Sequence, residues 1–152
     1  MRITGYSYRD DFDRVMEIND ACYSGVYCAP REKVKDMCTV SDVFIAREQA
    51  EYGHPQCGSQ IIVGFAIVRH VFQPYIWNIA VDPAYQKVGI GGNLLREIIR
   101  TYTLAKTANI ALHVNVENPA QKLYFDYGFR VKSVQKKYFD PNDALFMERK
   151  LP

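Results

Sequence analysis

The glycine-rich stretch from Gln86 to Gly92 restricts the fold more than any other part of the sequence. It stands between an apolar segment that ends near Val81 and an amphipathic run from Asn93 to Tyr102. Because glycine has no Cβ, the three glycines of this stretch let the backbone approach a ligand. They also expose amide N–H groups at a helix start, where an anion is favoured. The stretch predicts a strand, a turn and a helix, with an anion site at the turn. A glycine turn without a ligand would have the same sequence.

Composition predicts one globular domain over residues 1–152, since 48% of the residues are apolar and 24% are charged. The net charge of +2 argues against nucleic acid as a partner, because such binding needs a concentrated basic surface. No stretch approaches membrane-spanning length, and the first residues lack the apolar core of a signal peptide. We therefore expect a cytoplasmic protein with no membrane partner.

The cysteines predict neither a metal site nor a disulfide framework. The four cysteines are Cys22, Cys28, Cys38 and Cys57. They form no C-x-x-C pair, and no histidine lies at the spacing of a zinc ligand. We expect reduced thiols and no metal cofactor.

Hydrophobic periodicity predicts the element order β-α-α-β-β-β-α-β-α-β-β. The predicted strands are 2–8, 43–46, 61–70, 75–81, 110–116, 129–137 and 143–151. The four predicted helices begin near Asp10, at Pro30, at Asn93 and at Pro119. Asp10 or Asp11 would cap the first helix, and Asn118 would be the N-cap of the last. This order predicts an α/β (α+β) fold in which helices cover both faces of one mixed, twisted sheet. It does not have the alternation of a Rossmann fold, and the glycine turn lacks the Gly-Lys-Ser/Thr of a P-loop.

The element order and three motifs resemble the GNAT acetyltransferases. Gln86 to Gly91 is similar to the pyrophosphate loop of that family, Asn78 to Pro83 to the strand before it, and Leu123 to Phe129 to its L-Y-x-x-x-G-F element. The resemblance implies a sheet of about seven strands with four helices. It also implies acetyl-coenzyme A as cosubstrate and direct acetyl transfer to a primary amine.

Residue roles follow from the same resemblance. Tyr124 would donate a proton to the departing thiolate, and a backbone N–H of the strand would polarise the thioester carbonyl. The residues implied in cofactor binding are Ile79, Ala80, Val81, Gln86, Lys87, Val88, Gly89, Ile90, Gly91, Gly92, Asn118 and Tyr124.

A narrower resemblance is to protein N-terminal acetyltransferases. It would make His113 the base that accepts the amine proton, with Tyr75 orienting a water, and it would place Tyr27 and Tyr138 against the first residues of the acceptor. Each of these side chains would also suit plain core packing. The implied partners are acetyl-coenzyme A and a peptide or protein N-terminus, and the protein is expected to be a monomer or weak homodimer.

One departure from the family pattern lies between His113 and Tyr124, a segment one residue short. Either Asn118 keeps its contact with the cofactor through a tighter start of the helix, or Glu117, Asn115 or His113 is displaced from its role. Two other functions stay open at this point: acetylation of a lysine or small-molecule amine, and a non-catalytic acetyl-coenzyme A-binding module.

Overall fold

The computed structural model describes residues 1–23, 28–50, 55, 58–70 and 72–152. Within these residues the strands are β1 (Arg2–Gly5), β2 (Ser41–Gln49), β3 (Gln60–His70), β4 (Pro74–Val81), β5 (Asn109–Asn115), β6 (Arg130–Phe139) and β7 (Asn142–Lys150). The helices are α1 (Tyr8–Cys22), α2 (Arg31–Val40), α3 (Ile90–Leu104) and α4 (Gln121–Asp126). The predicted element order is confirmed, with one added 3-10 turn at Pro83–Tyr85.

The strands form one seven-stranded sheet in the order β1-β2-β3-β4-β5-β7-β6. All neighbours are antiparallel except β4 and β5, which pair only through Tyr75 with Ala111 and Ile76 with Leu112. Beyond these two pairs the strands separate. The sheet therefore opens between the second half of β4 and the end of β5, and among the described residues no strand pairs with the β5-facing edge of β4 from Trp77 onwards.

Helices cover both faces of the sheet, as predicted. On one face α3 buries the apolar stripe that its sequence predicts, including Leu94, Leu95 and Ile98. On the other face α1 and α2 bury a second cluster that includes Val15 and Val34. Each helix is amphipathic, so the two cores are built from helix stripes of period 3.6 set against alternating strand residues.

The start of the chain differs from the prediction. β1 ends at Gly5 rather than continuing to residue 8, because Ser7 is the N-cap of α1. Asp11 accepts a hydrogen bond from the Ser7 backbone N–H at 2.8 Å, and Ser7 Oγ donates to Asp10 at 2.8 Å. The two aspartates thus stabilise the helix start from inside its first turn, where negative charge is favoured, and are not themselves the cap.

Two other helix starts also differ. α3 begins at Ile90, inside the glycine stretch, rather than at Asn93. α4 begins at Gln121, with Ala120 as its N-cap, rather than at Pro119. Asn118 instead caps a turn, because its Oδ1 accepts a hydrogen bond from the Ala120 N–H at 2.9 Å.

Candidate functional site

Two cavities lie side by side along the open edge of β4. The first, of about 490 Å³, lies between β4 and β5 and reaches the β6–β7 turn. The second, of about 450 Å³, runs from β4 to the glycine stretch and the start of α4. The residues that line both cavities are Cys22, Tyr23, Ile79, Asn118 and Tyr124. A ligand lying in the second cavity would therefore present one end to the first.

The glycine stretch forms the far end of the second cavity. Gly89 is the N-cap of α3 with φ of 92°, a left-handed conformation that glycine adopts without cost. The first hydrogen bond inside the helix runs from Asn93 N to Gly89 O, so the amides of Ile90, Gly91 and Gly92 have no partner within the helix. These N–H groups and the positive end of the helix dipole suit an anion. Lys87 also lines this cavity and adds a cation.

Gly91 and Gly92 lack side chains for a reason that sequence reasoning missed. A Cβ on Gly92 would lie 2.5 Å from the Tyr127 hydroxyl, and one on Gly91 would lie 3.3 Å from Leu123. Both glycines therefore let α3 pack closely against α4. Val88, by contrast, is 72% exposed and does not line either cavity.

The open edge of β4 meets side chains of the chain itself. Tyr23 donates its hydroxyl proton to the Ile79 carbonyl at 2.9 Å. The Val81 carbonyl accepts from Cys22 Sγ at 3.1 Å and from Gln86 Nε2 at 2.9 Å. The carbonyls of Ile79 and Val81 thus point away from β3 into the second cavity, where an extended ligand could bind β4 as an added strand.

Tyr124 stands where the two cavities meet. α4 carries it, and its ring packs edge-on against Phe129 at 6.0 Å between centroids. Only 6% of the residue is exposed, and burial alone raises the pKa of its hydroxyl. The hydroxyl therefore keeps its proton at neutral pH and can donate it.

His113 and Tyr75, which sequence reasoning paired, are in direct contact. The Tyr75 hydroxyl lies 2.7 Å from Nδ1 of His113, so one hydrogen bond joins the two groups. Burial lowers the pKa of His113, an effect that Gln135 partly opposes, and burial raises the pKa of Tyr75, an effect that Tyr138 adds to. Near neutral pH the pair is a neutral imidazole and a neutral phenol.

Aromatic rings enclose His113. Tyr138 stacks on the imidazole at 4.2 Å with an interplanar angle of 7°, and Phe146 lies at 5.0 Å. Nε2 is buried, and no hydrogen bond reaches it from the part of the chain that the structure describes. Tyr138 is therefore placed against the predicted base, whereas Tyr27 lies outside the described residues.

Asn118 lines both cavities despite the shortened segment. Its contact with the cofactor stays a prediction, as does the alternative in which Glu117, Asn115 or His113 is displaced. The next residue back, Glu117, lines the first cavity and accepts a hydrogen bond from Asn142 Nδ2 at 3.1 Å.

Sequence reasoning also missed a buried amide pair behind the first cavity. Asn19 is fully buried on α1, and its Oδ1 accepts a hydrogen bond from Asn78 Nδ2 at 3.1 Å. Its own Nδ2 reaches the Ala29 carbonyl at 3.3 Å, which ties β4 to the segment before α2. The only sign of this contact in the sequence is that Asn19, an uncharged polar residue, stands at a position of α1 where the helical period calls for an apolar one.

Among the residues that the structure describes, no three His, Cys, Asp or Glu side chains are grouped as a metal site. Within the same residues, every helix is too short or too polar to cross a membrane.

The sequence itself can be compared with known proteins. Residues 40–131 match the acetyltransferase (GNAT) domain family, so the chain belongs to this family. It is 33% identical over 137 residues to the ribosomal protein bS18-alanine N-acetyltransferase of Haemophilus ducreyi, covering 88% of this chain and 86% of that protein. The enzyme of the same name from Escherichia coli K12 is 33% identical over 85 residues, which cover 55% of this chain and 57% of that protein.

Solved structures show the same fold. The NatC complex bound to Gag peptide and CoA contains a chain that superimposes with a TM-score of 0.82 at 21% identity. The match covers 99% of this chain and 98% of that chain. The predicted GNAT fold of seven strands and four helices is thereby confirmed.

Proposed function

We propose that this protein transfers an acetyl group from acetyl-coenzyme A directly to the α-amine of a protein N-terminus. The observation that carries the proposal is the pair of cavities that meet at Tyr124 along the open edge of β4. One cavity suits an extended, anionic cofactor and the other suits an acceptor, so both substrates would bind at once.

Acetyl-coenzyme A fits the second cavity. The unpaired amides at the start of α3 and the Lys87 ammonium suit its pyrophosphate. The edge of β4 suits its amide-bearing arm, although that arm would compete with Tyr23 for the Ile79 carbonyl. When bound, this cosubstrate supplies an activated thioester.

Tyr124 would manage the proton of the leaving group. Its hydroxyl keeps a proton at neutral pH because burial raises its pKa. In its position between the cavities it would give that proton to the departing thiolate. General acid catalysis of this kind contributes about 10²- to 10⁴-fold in rate.

Tyr75 and His113 would manage the proton of the acceptor. Because the Tyr75 hydroxyl already contacts Nδ1 and Nε2 is buried, a proton would reach this imidazole through Tyr75, which does not itself line the first cavity and would need a water to meet the amine. Tyr75 would accept a proton from the amine, through a water, while passing its own to Nδ1. His113 serves as the base and Tyr75 as the link.

An N-terminal acceptor is favoured by acidity and by the relatives. The pKa of an α-amine is about 7.7–8.0 and that of a lysine about 10.4, so a weakly basic, neutral imidazole suits the α-amine. The two curated relatives are both named as N-acetyltransferases of a ribosomal-protein alanine.

A matched peptide set tests the proposal. Purified protein and acetyl-coenzyme A would be incubated with a peptide in three forms: free N-terminus without lysine, blocked N-terminus with lysine, and blocked N-terminus without lysine. We expect thiol release, and one added acetyl group by mass spectrometry, with the first form alone. Acetylation of the lysine form instead would assign the activity to lysine, and no release with any form or with polyamines would indicate a binding module.

A further inference from the structure

The first cavity carries one formal charge among its described lining residues, and that charge is the carboxylate of Glu117. The other polar groups there are asparagines, tyrosines, a cysteine thiol and His113, whose pKa burial lowers. A carboxylate in a neutral cavity makes its surface attractive to cations and repulsive to anions.

The structure holds Glu117 in place at the rim of this cavity. Its backbone N–H donates to Asn115 Oδ1 at 2.9 Å, and its Oε2 accepts from Asn142 Nδ2 at 3.1 Å. The preceding residue, Val116, donates its N–H to the Asp143 carbonyl at 3.1 Å. These bonds join the β5–α4 connection to the β6–β7 turn, so the carboxylate is fixed in direction although the residue is exposed.

No cation in the described part of the chain pairs with Glu117. Lys136 of the β6–β7 hairpin is bound to Asp143 at 2.8 Å, and Lys122 at the start of α4 is bound to Asp126 at 2.9 Å. Oε1 of Glu117 receives no hydrogen bond from the described residues. The carboxylate is thus oriented and still able to bind a cation from a ligand.

We propose that Glu117 is a specificity-determining residue that selects acceptor chains with a lysine or arginine within their first few residues and disfavours acidic ones. The inference rests on the proposed function, since it describes the acceptor of the same site. Glu117 lies at the exposed rim rather than beside Tyr124 and His113 in the interior. The charge it meets therefore belongs to a side chain that follows the reacting amine.

The test compares peptides that differ only at the second residue, which is Lys, Gln or Asp. An exposed opposite-charge pair changes affinity by up to about five-fold, and replacing attraction by repulsion compounds the effect. We expect wild-type kcat/KM to favour the Lys peptide over the Asp peptide by about ten-fold at low salt, and the ratio to fall as salt is added. Glu117→Gln should bring the ratio near one, and Glu117→Lys should reverse it.

Glu97→Gln is the matched control, because it removes a carboxylate on α3, where Glu97 pairs with Arg100. It should leave the ratio unchanged. If Glu117→Gln slowed all three peptides equally, the carboxylate would act on the amine itself and the selection would be refuted. If the wild-type protein acetylated the Lys and Asp peptides with nearly equal kcat/KM, the selection by Glu117 would be refuted while the proposed function would stand. Failure to acetylate any of the peptides would overturn the proposed function and this inference together.

Discussion

At the scale of single residues, Tyr124 combines two properties that rarely coincide, deep burial and contact with two cavities. Burial keeps its hydroxyl protonated, and the cavities give substrates access to it. If it is the proton donor, removing only its oxygen should slow chemistry without altering how the cofactor is held.

Tyr124→Phe should therefore lower kcat by on the order of 100-fold while the affinity for coenzyme A changes less than about three-fold. Steady-state kinetics and isothermal titration calorimetry measure the two quantities. The control is Tyr102→Phe, which removes a buried hydroxyl that binds Asp42 away from both cavities. Unchanged turnover in Tyr124→Phe would assign the proton to another group.

His113 leads to a prediction about pH. Burial disfavours its charged form, so its midpoint in an NMR titration should lie below the ordinary value of about 6.5. The unfolded chain then binds a proton more readily than the folded one, so this histidine destabilises the fold as the pH falls below about 6.5.

The same protonation should stop the base, so kcat at saturating peptide should fall as the pH drops through the measured midpoint. In His113→Gln the rate should fall by on the order of 100-fold, and the remaining activity should lack this acid limb. A midpoint at or above 6.5, or an acid limb that persists in the variant, would contradict the role of His113 as base.

At the scale of elements, the start of α3 both packs against α4 and lines the second cavity. Its amides face the second cavity, while its missing side chains let α4 approach. Because α4 carries Tyr124, the distance between these two helices sets the position of the proposed proton donor relative to the proposed anion site.

Gly92→Ala should displace the Tyr127 side chain that packs between the two helices, since its Cβ would meet the Tyr127 hydroxyl. We expect a loss of about 1–3 kcal/mol in the free energy of unfolding and weaker binding of coenzyme A. Denaturation and calorimetry measure these effects. Tyr127→Phe removes the clashing oxygen, so the double variant should recover much of the loss, and Gly5→Ala, where a Cβ meets nothing within 4 Å, should be nearly neutral. Full stability in Gly92→Ala would show that the contact is not limiting.

At the scale of the whole molecule, a buried ion pair joins α1 to the sheet. Asp11 is 1% exposed, and its Oδ1 accepts from Arg47 of β2 at 2.7 Å. Arg47 also donates to Thr4 of β1 at 3.0 Å. This network fixes the helix whose last turn supplies Cys22 and whose C-cap is Tyr23, the two residues that meet the open edge of β4.

Asp11→Ala leaves the Arg47 guanidinium partly buried without its partner, so the free energy of unfolding should fall by about 3–5 kcal/mol. Urea denaturation measures the change. The control Asp13→Ala breaks an exposed pair with Arg31 and should cost less than about 1 kcal/mol. If Asp11→Ala also cost so little, the network would not hold α1 to the sheet.

The sequence predicted the element order, an anion site at the glycine stretch, which stays a prediction, and a joint role for Tyr75 and His113, which also stays a prediction although the two side chains are in contact. The first two depend on periodicity and on glycine geometry within a few residues of one another. The last came from a family pattern, and the parallel pairing of Tyr75 with Ala111 places those side chains together. Helix starts were predicted less accurately. Several adjacent residues could each be the N-cap of the same helix, and in the structure the N-caps of α1 and α4 are Ser7 and Ala120.

Only the tertiary structure decided how β4 and β5 separate after two residue pairs, and that separation creates both cavities. It also decided that Tyr23 binds the Ile79 carbonyl, that Asn19 binds Asn78, and that Glu117 is held by Asn142. These contacts join residues far apart in the chain and depend on the packing of whole elements. Periodicity and local spacing report a residue's neighbours along one element, and they carry no information on which distant side chain will fill the space beside it.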